Sequence, residues 1–328
     1  MTRCLLLAVF LAATPTAQGQ AWEAAQDPAE TMRLEAQMEA HRAHTARLVQ
    51  ALAKTGHARD LAFAAMLRGL ADTGQGGAAP SGDAPSRRVP ADPEAAAWLR
   101  TAAAKAGDDV LAHQLVAAAA GGTDAATRSA AAKRWQAAEP GNLVPLLYLD
   151  LPAEALLAAA RQAADADTHM YAGVRWMRSA LAKHPPTADE QRALAGDEPF
   201  LADEAAAMAA TAYWAGAALP SYQGLVQACR GTALHASPAR AGDCRHAATL
   251  LADRSDNALG ERVGLSMLAE LAQRGPERAG IEARQRRMDW QMQQWGRLAS
   301  QQPRDGAAQF VRLLDDPSIR SERQLGER

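Results

Sequence analysis

Residues that build sheets are scarce in this 328-residue chain. Valine and isoleucine together number a dozen, and aromatic residues make up 5%. Strands draw on β-branched and aromatic side chains, so a large sheet is excluded. Lysine is rarer still, at four residues (Lys54, Lys105, Lys133, Lys183), and the 35 basic against 37 acidic side chains leave a net charge of -2. Without a basic excess the electrostatic term behind nucleic-acid binding is missing, and nucleic acid is not an expected partner. Beyond the N-terminus no apolar run approaches the roughly 20 residues that a membrane-crossing helix requires. There is no GxSxG, HExxH, GxxxxGK or CxxC motif, and no GxGxxG following a strand. Each of these places a nucleophile, metal, phosphate or redox pair by local geometry. The expectation is therefore no catalytic residue, no cofactor and no metal site, hence no enzyme.

What is abundant is alanine, which alone supplies about half of the 48% hydrophobic content. Alanine loses no side-chain entropy on entering a helix, which makes an all-α fold the expectation, with close helix packing in place of one bulky core.

Residues 1–19 have one positive charge at Arg3, an apolar run from Cys4 to Ala13, and small residues at Ala17 and Gly19. This pattern reads as a secretory signal peptide, and it points to a periplasmic or secreted protein. A cleaved chain keeps two cysteines, Cys229 and Cys244. An even count in an oxidising compartment argues for a disulfide. Leu225 and Val226 precede Cys229 by a turn, and Ala247, Ala248 and Leu251 follow Cys244, so both sulfurs face the apolar side of their helices. The competing reading is a zinc site of Cys229, His235, Cys244 and His246, whose spacing matches no ordinary zinc module.

Residues 20–72 read as a helical hairpin. Leu34, Met38, His41, Thr45, Leu48 and Leu52 form one stripe of a helix running from about residue 28 to 54, Gly56 ends it, and a second helix spans about 58 to 71. Residues 73–91, rich in Gly, Pro and Ala, form a linker or long loop. From 92 to 316 helix-length segments alternate with stops such as Ala106-Gly107-Asp108, Gly121-Gly122-Thr123, Pro140-Gly141-Asn142, Pro185-Pro186 and Ser255-Asp256-Asn257. Leu143 to Leu149 could be a strand but for Pro145. Residues 317–328 form a polar tail that should fray.

Trp98, Trp135, Trp176 and Trp214 are spaced by 37, 41 and 38 positions, a period that paired-helix repeats show. The segment from Ala96 to Asp108 resembles the helix-plus-turn signature of Sel1-like repeats. Ala137 to Asn142, followed by Leu146 and Leu149, resembles the inter-repeat turn of tetratricopeptide repeats. The later turns at Lys183 to Pro186 and Leu219 to Ser221 depart from both patterns. The resemblance implies an α-solenoid-like array of antiparallel helix pairs, non-catalytic and presenting a face to a protein or peptide partner. The alternative is an irregular helical bundle.

His41 and His44, three apart on one helix with Glu35 and Glu39 nearby, are the best candidate metal ligands, and they carry the alternative reading of a small helical envelope enzyme or metal-binding protein. Only His41 falls on the apolar stripe, together with Thr45, and a polar pair on a helix seam more often sets register. His113, His169, His184 and His235 stand alone as helix-end or surface residues. Between Pro276 and Gln302, Ile281, Met288, Met292 and Trp295 form an apolar line, with Arg284, Arg286 and Arg287 outside it. A helix lying on a membrane competes with packing onto the preceding helix, and packing is favoured because Glu277, Glu282 and Asp289 dilute the charge. Gly260 and Gly264 suit close backbone approach between helices. Met170, Tyr171, Trp176, Met177, Tyr213 and Trp214 serve as core, or else line a groove.

Overall fold

The computed structural model describes residues 28–72, 92–121, 123–196, 201–234, 238–272, 274–301 and 303–326. The expected signal peptide, the linker, and His235 lie outside them. The described residues are helical and contain no strand. α1 (Pro28–Thr55) and α2 (Ala58–Asp72) pack on each other across a two-residue turn. Gly56 makes that turn at φ +67, a conformation that costs a residue with a Cβ but not glycine. Three helices follow, α3 (Pro93–Lys105), α4 (Val110–Ala120) and α5 (Ala125–Ala138). Asp92, Asp109 and Asp124 cap them by accepting first-turn backbone N–H groups.

Residues Val144–Tyr148 form a 3₁₀ turn, because Pro145 cannot donate to a ladder but sits easily at a helix start. Next come α6 (Ala153–Ala160), α7 (Met170–Ala182), α8 (Ala188–Ala195) and α9 (Ala202–Tyr213), the last leading into a π turn over Trp214–Ala218. The remaining helices are α10 (Gln223–Ala228), α11 (Gly231–Leu234), α12 (Pro238–Arg254), α13 (Ala258–Leu271), α14 (Pro276–Gln301), α15 (Pro303–Asp315) and α16 (Glu322–Gly326).

Neighbouring helices pair, but contacts also join elements far apart in sequence: α1 meets α8, α6 meets α10 and α12, and α15 returns to α7 and α9. In a one-dimensional stack each repeat touches only its neighbours, whereas these helices also close on one another. Main-core residues run from Leu48 to Ile319, and a satellite cluster of Ala252, Leu265, Ala269, Ala272, Ile281 and Met288 lies under α14. Trp135, Trp214, Phe63 and Met177 are fully buried, and Phe63 meets Trp176 and Tyr213 edge-on at 5.7 and 6.0 Å. The aromatic cluster is therefore core, supplying volume that alanine cannot.

Gly264 is where α13 crosses α12. A Cβ there would lie 2.3 Å from the Ala252 nitrogen and 2.6 Å from the Ala248 oxygen, so only glycine allows the crossing.

Two expectations need correction. The tail does not fray over 317–326: Ile319 is wholly buried, and Arg175 donates to the Asp316 and Ile319 carbonyls at 2.7 and 3.0 Å. One aliphatic side chain among polar neighbours is too small a pattern to signal docking. The stripe of α1 is also divided. Thr45, Leu48 and Leu52 are buried while Leu34 and Met38 are exposed: α2 has 15 residues against the 28 of α1, and α8, which also packs on α1, leaves these two side chains uncovered.

Candidate functional site

Three interhelical connections and the C-terminal segment meet at one polar centre. Leu143 donates its N–H to Asp165, Ala164 donates to Gly141, and single bridges link Asn142 to Asp165 and Ala166 to Ser255. At the middle lies Asp256, 5% exposed. Its carboxylate accepts from the Thr168 N–H (3.0 Å), the Thr168 hydroxyl (2.7 Å), the Met170 N–H (2.8 Å) and the Asn257 amide (3.1 Å). Burial pushes its pKa up to about 6, with the charge of Asp167 adding to the rise and the donated hydrogen bonds opposing it.

Asn257 caps α13 by accepting from the Gly260 N–H. The tail joins here: Glu322 donates its N–H to the Asp256 carbonyl (3.0 Å), and its carboxylate accepts from the Ala258 N–H. Burial raises the Glu322 pKa as well.

Next to this centre His169 precedes α7 in the left-handed conformation, φ +51 and ψ +31. Such backbone costs about 1 to 3 kcal/mol in a non-glycine residue and persists where surrounding contacts dictate it. Here the His169 N–H reaches the Asp167 carboxylate at 2.7 Å. The ring donates from Nε2 to Glu139 at 2.9 Å, and Nδ1 faces Asp167 at 3.7 Å. Burial by itself would lower the His169 pKa, but the carboxylates of Asp167, Glu139 and Asp256 outweigh it and raise it. Glu139 also accepts from Trp135 Nε1 (2.8 Å) and the Asn142 amide (3.0 Å); these donors and His169 overcome its burial and hold its pKa low.

His169 borders an open cleft of about 560 Å³, with Arg59, Asp109, Leu111 and Ala172 also on its walls. Arg59 is held there by a two-pronged pair with Asp109, at 2.6 and 2.9 Å. Nε2 of the ring is taken by Glu139, and Nδ1 faces Asp167. The arrangement acts as a charge-compensated clasp between the turn before α7 and the end of α5.

The residues singled out in sequence lie elsewhere. Cys229 and Cys244 are bridged, with Cα atoms 5.5 Å apart, joining the end of α10 to α12 in the core. Their sulfurs bond to each other, and His246 donates to the Ala163 carbonyl at 3.0 Å, so no zinc set of these residues forms. His41 and His44 lie on α1 where α8 packs. Burial lowers both pKa values, and the positive charges of Arg47, His41 and His184 add to the effect at His44 while Glu190 opposes it. Glu190 is engaged by Arg47 and by the Thr187 N–H it caps. Among the described residues no three His, Cys, Asp or Glu side chains form a group that could hold a metal ion. His113 is buried at the first turn of α4 and reaches the Gly107 carbonyl at 2.9 Å.

Sequence reasoning missed Asp256 and the Glu139 to His169 clasp. Ser255-Asp256-Asn257 reads as a helix stop, and the whole of α6 lies between Glu139 and His169 and hides their meeting. The only local signal is the run of acids, Asp165 and Asp167, before His169. No family model matches the chain, and no curated protein or solved structure matches it. Among the described residues no helix is long and apolar enough to cross a membrane.

Proposed function

We propose that this chain is a non-catalytic helical binding module of an oxidising, extracytoplasmic compartment, and that it receives a helix of a protein partner along the first half of α1. The observation that carries the reading is the divided stripe. Of the seven large apolar side chains left exposed among the described residues, Leu34 (50%) and Met38 (45%) lie one turn apart on this stripe, and Met32 (70%) lies on another face of the same stretch of helix. The same seam is buried against other helices of the chain from Thr45 onward, so its geometry is that of helix against helix, and a partner helix would continue an interface the fold has begun. The resemblance to Sel1-like and tetratricopeptide repeats supports a binding role. The disulfide and the leader-like residues 1–19 support the compartment.

The test uses a photo-reactive residue at 34 or 38 and, as a control, at the exposed position 259. Cross-links to one protein are expected from 34 and 38 only. That protein, once purified, should bind L34E/M38E at least tenfold more weakly than the original chain, with the melting temperature unchanged. Equal affinity for both chains, or cross-links solely between copies of this chain, overturns the reading. Stoichiometric metal that disappears in H41A/H44A would favour the metal-binding alternative instead.

A further inference from the structure

We infer that the outer face of α14 docks on an anionic lipid surface, a property independent of the partner site proposed on α1. The roll of this 26-residue helix is set by its inner side. Ile281 and Met288 are buried in the satellite cluster, and Arg284 donates to Asp253 (2.7 Å), the Ala252 carbonyl (2.8 Å) and Glu261 (3.2 Å). That anchoring turns Trp290 outward, 59% exposed.

Arg286 and Arg287 precede Trp290 by four and three residues, which places them beside it on the helix surface. Both are exposed, and neither has an acidic partner among the described residues. Their neighbours differ. Arg284 is paired, Arg278 is paired with Glu282, and Asp289 is taken by Arg262 of α13. Across its length α14 carries five arginines against three acids, a net charge of +2 in a chain whose net charge is -2. Leu259, also exposed, lies one turn before Arg262 and so at the same end of the α13–α14 pair.

An exposed tryptophan flanked by unpaired guanidiniums has the composition of an interfacial anchor. The indole sits at headgroup depth, and the arginines meet phosphates while their stems cover apolar surface. Trp290 stands on the convex ridge of a helix, where a flat, deformable bilayer makes contact more readily than a peptide that needs a groove. The satellite cluster is complete without this face, so substitutions on it leave the packing intact.

The experiment is sedimentation of the purified chain with vesicles of phosphatidylcholine alone and with vesicles in which phosphatidylglycerol replaces a third of it. At low salt, partition onto the anionic vesicles should be at least tenfold greater, and it should collapse in about 0.5 M salt. R286Q/R287Q should weaken it about 25-fold, from about fivefold for each guanidinium near an anionic surface. W290A should weaken it as well. A control of equal charge change, R42Q/R245Q, removes two arginines that are paired with Glu39 and Glu277 and should have little effect. The apolar run from Cys4 to Ala13 is common to all variants, so the differences between them isolate α14. Equal partition on both vesicle types overturns the inference, as does unchanged partition of R286Q/R287Q and W290A. Binding of polyglutamate with no binding of anionic vesicles also overturns it, in favour of an acidic polypeptide.

Discussion

Around Asp256, buried polar groups answer one another, whereas along the first half of α1 and the outer face of α14 large apolar side chains are left exposed among the described residues. The centre takes a carboxylate out of solvent and supplies it with donors from Thr168, Met170 and Asn257. The long helices leave Met32, Leu34, Met38 and Trp290 exposed. A buried acceptor with its donors in place contributes modestly to stability, but removing it strands every donor at once. An exposed apolar side chain contributes little to the fold, and its removal should be felt only by something that binds it. The polar centre is thus built for folding, and the contacts proposed above with other molecules fall on the two long helices.

Substitutions can break this contrast, and the largest effect is expected at its centre. Asp256→Ala should cost about 3 to 5 kcal/mol in urea unfolding, since it leaves buried N–H and hydroxyl groups without an acceptor. A cost below about 1 kcal/mol, the net worth of one ordinary hydrogen bond, would mean that water reaches the site and that the centre is not a sealed network. Reducing the Cys229–Cys244 bridge, which closes a separation of 15 residues, should cost about 3 kcal/mol and lower the melting temperature by several degrees. An unchanged melting temperature with two free thiols would show that the bridge does not form. Gly264→Ala should cost about 2 kcal/mol or more, because the added carbon meets the backbone of α12, which cannot give way like a side chain.

Proton linkage gives a subtler contrast. Asp256 binds its proton more tightly folded, with a pKa of about 6, than unfolded, at 3.8. Its contribution is therefore present at low pH and is lost as pH rises between those values. Carboxylates held low, such as Glu139, Asp92 and Asp124, act in the opposite sense, losing their contribution as pH falls below the ordinary carboxylate range. The stability difference between the original chain and Asp256→Asn should accordingly be larger at pH 4.5 than at pH 7. A difference independent of pH would show that Asp256 does not titrate abnormally. The smallest effects belong to the long helices. Met38→Glu and Trp290→Ala should each stay within about 0.5 kcal/mol of the original stability. A loss above about 2 kcal/mol, the scale of uncovering a packed side chain, would reveal that these faces are covered within the molecule.

How much of this was legible in the sequence depended on range. Local patterns sufficed for the helical class, for stops such as Gly56 and Gly107, and for the two cysteines, whose flanking apolar residues mark them as inward-facing. The packing partners of α1 were not legible. Its stripe from Leu34 to Leu52 is continuous in sequence, and the helices that pack on it, α2 and the distant α8, determine where cover ends. His169 reads as an isolated helix-end residue, and its meaning comes from Glu139, which lies on the far side of α6 in the chain.

The sequence by itself determined that alanine-rich segments punctuated by glycine and proline become helices, because propensity and backbone sterics act within a few residues. Only the tertiary structure decided that four distant chain segments converge on Asp256, that the tail packs through Ile319, and that Trp290 faces solvent. Burial depends on what arrives from elsewhere in the chain, and in a sequence where most helix faces carry alanine no hydrophobic pattern specifies which face meets which.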